Sequence, residues 1–140
     1  MPRFVVVFDT NVLFSAIGWP GNPRRCVDLA RGHKIEAVTC EQIIEELARK
    51  LKQKLGFSDR QILETTIFFL GFMRTVPVAG NLKGACADPK DDLVLECAVV
   101  AGASHIVSGD RKHLLSMKTF QGVAIVSPAD LVLTVESASS

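Results

Sequence analysis

Apolar and polar residues fall along this chain in blocks that predict alternating strands and helices. Residues 4–8, FVVVF, are apolar without interruption, as expected of a strand covered on both faces inside a parallel sheet. They run straight into Asp9, Thr10 and Asn11, and apolar positions resume at Val12, where a helix is predicted to start. The Gly/Pro-rich stretch SAIGWPGNP predicts a loop, and Arg24–Arg31 has helical spacing up to a stop at Gly32. A short strand is predicted around Ile35–Val38. Next, Ile43, Ile44, Leu47, Leu51 and Leu55 recur at i, i+3/i+4 intervals, predicting an amphipathic helix closed by Gly56. Ser58 caps a further helix whose second half, IFFLGFM, is apolar nearly all round, and RTVPV predicts a third strand. After a polar loop come a buried helix in DDLVLECAVVAG, a fourth strand in HIVSGD, a fifth in VAIVSP and a short C-terminal helix, with residues 137–140 expected to fray.

Strands separated by helices throughout imply an α/β fold, a parallel sheet with helices on both faces. At 140 residues one domain is expected, spanning 1–136. The 48% hydrophobic and 22% charged content is that of a folded globular chain, and no apolar run is long enough to span a bilayer. The start, MPRFVVVFD, lacks secretory-signal features, so a cytoplasmic protein with no membrane association is expected. Cys26, Cys40, Cys86 and Cys97 have no metal-type spacing and are expected to be reduced thiols. With 16 basic and 15 acidic residues the chain has no overall basic field, so a nucleic-acid partner would need a local patch.

The candidate chemistry lies in acids at strand ends. In open parallel sheets ligands bind beyond the carboxyl ends of the strands, and both Asp9 and Asp110 follow apolar strands directly. Ser108 can hydrogen-bond a neighbouring carboxylate. In ADPKDDLVLECA, Asp91 and Asp92 occupy the first helical turn, where the helix dipole alone accounts for Asp91. Asp92 directly precedes the buried face, with Glu96 one turn further on the same side as a supporting partner. One carboxylate of the pair Glu45 and Glu46 can face inward. Carboxylates converging on one crevice repel unless protonated or neutralised by cations, and an all-oxygen donor set suits Mg²⁺ or Mn²⁺.

In FDTNVLFSA, CEQIIEEL, DPKDDLVLECAVVAGA and IVSGDRKHLL, taken in that order, the chain resembles the PIN-domain nucleases, in particular their VapC-like toxin branch. The resemblance implies a three-layer α/β/α sandwich of strand order 3-2-1-4-5 and metal-dependent cleavage of single-stranded RNA. It assigns the catalytic and metal-holding acids to Asp9, Glu46, Asp92 and Asp110, with Ser108 as the supporting hydroxyl and Glu45 an alternative to Glu46; Asn11 and Glu96 are further supporting candidates. Relatives often carry a further acid after the one matched by Asp110, where this chain has Arg111, Lys112 and His113. A toxin–antitoxin pair would add an antitoxin partner. The alternative is a PIN-fold RNA-processing nuclease or RNA-binding protein outside any such pair.

Arg24, Arg25 and Arg31 near the first loop and the run Arg49, Lys50, Lys52 and Lys54 are the candidate RNA contacts, with Trp19 able to stack on a base. The apolar excess of IFFLGFM predicts a homodimer. His33, His105 and His113 are read as structural or surface residues. An Asp-dependent phosphatase would need a second Asp at the position of Asn11, and a receiver domain would need an Asp in RTVPVAGN; the chain has neither.

Overall fold

The computed structural model describes residues 4–110 and 112–139. Its six-stranded sheet is built around β1 (Val5–Phe8), which pairs in parallel with β2 (Glu36–Thr39) on one side and β4 (His105–Val107) on the other. β3 (Met73–Thr75) extends the sheet beyond β2, and β6 (Val123–Val126) extends it beyond β4, both in parallel. A two-residue strand, β5 (Thr119–Phe120), closes that edge antiparallel to β6, giving the order β3-β2-β1-β4-β6-β5. The expected fifth strand is therefore β6, and β5 is an addition too short for hydrophobic pattern to reveal. Gln121 and Gly122, with φ of 48° and 81°, make the tight turn between them.

Among the described residues, seven helices connect and cover the strands: α1 (Thr10–Gly18), α2 (Asn22–Arg31), α3 (Glu41–Leu55), α4 (Asp59–Leu70), α5 (Pro89–Ala101), α6 (Leu114–Met117) and α7 (Pro128–Ser139). α5 packs across β1, β2 and β4, which leaves Val6, Val7, Phe8, Val38 and Ile106 essentially without solvent contact. That burial on both faces is why the strands read as unbroken apolar runs.

Punctuation residues act as predicted at several ends. Ser58 and Gln61 form a reciprocal capping box at the start of α4, and Gly56 ends α3 in the left-handed conformation. Several boundaries differ from expectation: α2 starts at Asn22, α4 ends at Leu70 so that Met73 of IFFLGFM opens β3, and β3 ends at Thr75 within RTVPV. The stretch SAIG is the last turn of α1, because Ala16 is buried and the helix stops only at the Trp19–Pro20 pair. Helix α7 runs on through residues 137–139, past the expected fraying point, while Ser140 lies outside the described residues.

Candidate active site

Asp9 stands where β1 ends and α1 begins. Its backbone completes both elements: the N–H donates to the Val107 carbonyl at 2.9 Å, and its own carbonyl accepts from Val12 at 3.0 Å. The side chain makes no capping bond. Instead Oδ2 accepts the Ser108 hydroxyl at 3.1 Å, and the same Ser108 Oγ accepts the Asp110 N–H at 3.1 Å. A fully buried hydroxyl thus ties the acids of two adjacent strands together. Burial pushes the Asp9 carboxyl above its ordinary range, against the opposing pull of Ser108 and the Lys50 charge.

The third acid at this rim is Asp91, in the first turn of α5. It is buried, and burial, then the charges of Asp9, Asp88 and Asp110, raise its carboxyl to about 6. Ligand atoms of Asp91, Asp110 and His113 lie within 4.8 Å of one another. Asp110 Oδ1 accepts the N–H groups of Lys112 at 3.1 Å and His113 at 3.3 Å, a turn that carries the His113 ring to 3.9 Å from Oδ2. Reading the histidines singly missed this. The usable signal is the three-residue spacing from Asp110 to His113.

Asp92 is a correction. Its two oxygens accept backbone N–H groups from Gly84 at 3.1 Å and Cys86 at 2.8 Å, and those of Glu96 accept from Gly80 at 3.1 Å and Leu82 at 2.8 Å. Asp92 and Glu96 do share a face of α5, as their spacing requires, but that face holds the 79–88 loop. Consecutive helical residues project about 100° apart, so Asp91 takes the rim and Asp92 the loop. Four backbone donors in a segment without ladder bonds are satisfied this way.

Glu46 is the buried member of its pair and Glu45 the exposed one. The Glu46 carboxylate accepts Lys90 Nζ at 3.2 Å and is paired with Arg49. It lines a cavity of about 280 Å³ with Thr10, Gln42, Lys90 and Leu93, so Glu46 faces the side of the rim where α3 meets α5. Among the described residues it does not join the group of Asp91, Asp110 and His113. Asn11 Oδ1 accepts the Lys50 ammonium, which burial holds below the ordinary lysine range.

Arg24, Arg25 and Trp19 do not face this crevice as free contacts. Arg24 donates to the Ala16 and Ile17 carbonyls at 3.0 and 3.2 Å, closing the C-terminal end of α1, and Arg25 pairs with Glu136 at 3.1 Å. Trp19 is 53% exposed and leans on Phe14. The cysteines are free thiols, three of them buried.

The family model described as PIN domain matches residues 5–112, a span holding every acid of this crevice. The chain belongs to the PIN-domain family. Solved structures agree in fold. VapBC2 from Rickettsia felis, bound to a DNA fragment from their promoter, superposes with a TM-score of 0.64 at 16% identity, covering 89% of this chain and 98% of that one. DNA-bound VapBC from Salmonella typhimurium gives 0.63 at 15% identity, over 90% and 99% of the two chains. The sarcin–ricin-loop-cleaving VapC toxin of Mycobacterium tuberculosis gives 0.58 at 16% identity, over 85% and 98%. No curated protein matches the sequence significantly. Within this PIN domain the carboxyl-end rim is the acid-lined crevice, and no helix among the described residues is long and apolar enough to cross a membrane.

Proposed function

We propose that this PIN domain is a Mg²⁺- or Mn²⁺-dependent endoribonuclease that hydrolyses phosphodiester bonds of single-stranded RNA, as the toxin of a cytoplasmic toxin–antitoxin pair. The observation carrying this reading is the convergence of Asp9, Asp91 and Asp110 at one strand-end rim, two of them joined through Ser108. Three acids in mutual repulsion fit a hard divalent cation: the donors are carboxylate oxygens, and burial together with the charges of Asp9, Asp88 and Asp110 disfavours the bare Asp91 carboxylate. Asp9, Asp91 and Asp110 would hold such an ion, with Glu46 at the edge and His113 beside Asp110. The ion would supply water activation and charge stabilisation at phosphorus.

The remaining work falls to the chain itself. Ser108 fixes the separation of Asp9 and Asp110 by donating to one and accepting from the other. Asp92 and Glu96 anchor the loop that leads into α5 and so set where Asp91 points. The fold shared with VapBC complexes supports an antitoxin as partner. The test is cleavage of a labelled single-stranded RNA with Mn²⁺ and with excess EDTA; cleavage that persists undiminished in EDTA rejects the metal mechanism, and no cleavage with Mn²⁺ rejects the nuclease reading.

A further inference from the structure

We propose that Lys50 is a phosphate-positioning residue of this site: its ammonium, held in place by Asn11, receives a non-bridging oxygen of the polynucleotide phosphodiester beside Asp9. The inference rests on the nuclease reading and adds to it the residue that positions the substrate backbone. Glu46 and Lys50 are four residues apart on α3 and therefore project from the same side of the helix, toward the rim. The Lys50 ammonium reaches across to Asn11 Oδ1, two residues beyond Asp9 and on the next element. This places a cation at the flank of the acid cluster.

What distinguishes Lys50 is the nature of its partner. Arg49 and Lys90 are both committed to Glu46, Arg24 to the α1 carbonyls, Arg25 to Glu136 and Lys52 to Asp59. Among the described residues of this group only Arg24 and Lys50 form no ion pair, and Arg24 is spent on the backbone carbonyls that end α1, whereas Lys50 bonds the side-chain amide of Asn11 beside Asp9. Its charge is oriented beside Asp9, which feels it, with no carboxylate in direct contact among the described residues. A phosphodiester drawn to an acid-lined site meets repulsion from the carboxylates, and a fixed ammonium at their edge opposes that repulsion where the chain must enter. The amide serves this role better than a carboxylate would, because it accepts a hydrogen bond without cancelling the charge.

The test is fluorescence anisotropy of a fluorescein-labelled single-stranded oligoribonucleotide across a salt series, in EDTA so that the RNA stays intact. For Lys50→Met, affinity should fall about tenfold at low salt. The slope of log K against log salt should shrink by about 0.7, the loss of one phosphate contact to a single strand. Lys50→Arg should restore the slope, and Lys52→Met should leave it at the wild-type value. Asn11→Ala, which keeps the charge but frees the ammonium, should lower affinity less than Lys50→Met and provides a second handle should that variant fail to fold. Wild-type affinity and slope in Lys50→Met, an equal loss in Lys52→Met, or no binding by the wild type would each overturn the proposal. RNA binding with a Lys50-dependent slope but no cleavage in Mn²⁺ would retain the phosphate contact and remove the nuclease reading.

Discussion

Asp91 and Asp92 are adjacent in sequence and opposed in role: the Asp91 carboxylate faces Asp110 and His113 at the strand-end rim, whereas both oxygens of Asp92 are occupied by backbone N–H groups of the 79–88 loop. One is electrostatically frustrated and the other fully satisfied. Their isosteric variants should therefore move stability in opposite directions. In metal-free protein at neutral pH, Asp91→Asn removes repulsion and should raise the unfolding free energy by about 1 kcal/mol, while Asp92→Asn loses an accepting oxygen and should lower it by about 1–3 kcal/mol. Thermal melts of the two variants check this. Equal shifts of the same sign would return Asp92 to the site. In the cleavage assay Asp9→Asn and Asp91→Asn should each lose most activity with the fold intact.

The pH dependence of that difference follows from linkage. The Asp91 carboxyl is raised to about 6 in the folded chain, above its ordinary value of 3.8, so between these values the native state binds more protons than the unfolded one. Stability from this group is present in acid and is lost as pH rises through the folded value. The gap between Asp91→Asn and wild type should accordingly open between pH 4 and 6 and stay constant above it. Asp9, raised in the same direction by burial, acts with the same sign in both proteins. Denaturant titrations at a series of pH values measure the gap; a gap that closes with rising pH contradicts the assignment.

Metal binding should reverse the order at Asp91. With Mn²⁺ at about a hundredfold over its dissociation constant, the wild type should gain roughly 2.7 kcal/mol, and Asp91→Asn much less. Melts with Mn²⁺ and with EDTA provide the comparison, and parallel shifts in both proteins would remove Asp91 from the metal site.

Arg24 offers a contrast with Lys50. Because its guanidinium holds the last carbonyls of α1, Arg24→Ala should lower stability by about 1–2 kcal/mol and leave the salt slope of RNA binding at its wild-type value. A reduced slope without a stability loss would make Arg24 an RNA contact after all.

The α4 surface predicts self-association. Leu63, Ile67 and Leu70 follow one another at helical spacing and are 59%, 62% and 44% exposed, more apolar surface than a lone helix face presents to water without a partner. Light scattering should report a dimer at micromolar concentration, and Ile67→Glu a monomer. A wild-type monomer would mean that this strip has no second copy on it.

Much of this protein is written locally. The central strand, the amphipathic α3, the Ser58 cap and the strand-ending positions of Asp9 and Asp110 all follow from residues within a few positions of one another, because burial on two faces, helical periodicity and turn chemistry act over that range. The choice of Glu46 over Glu45 and of Asp91 over Asp92 is different in kind. The members of each pair are neighbours on a helix, about 100° of rotation apart, and which of them faces the rim depends on how α3 and α5 are set against the sheet. Arg24 and Lys50 make the same point among the cations. As sequence they are alike, basic residues on predicted helices, yet packing puts one against the backbone carbonyls of α1 and the other against Asn11 beside Asp9. Sequence determined that acids and bases would meet at the ends of the strands; the rotation of each helix about its axis, fixed only by tertiary packing, decided which of them did.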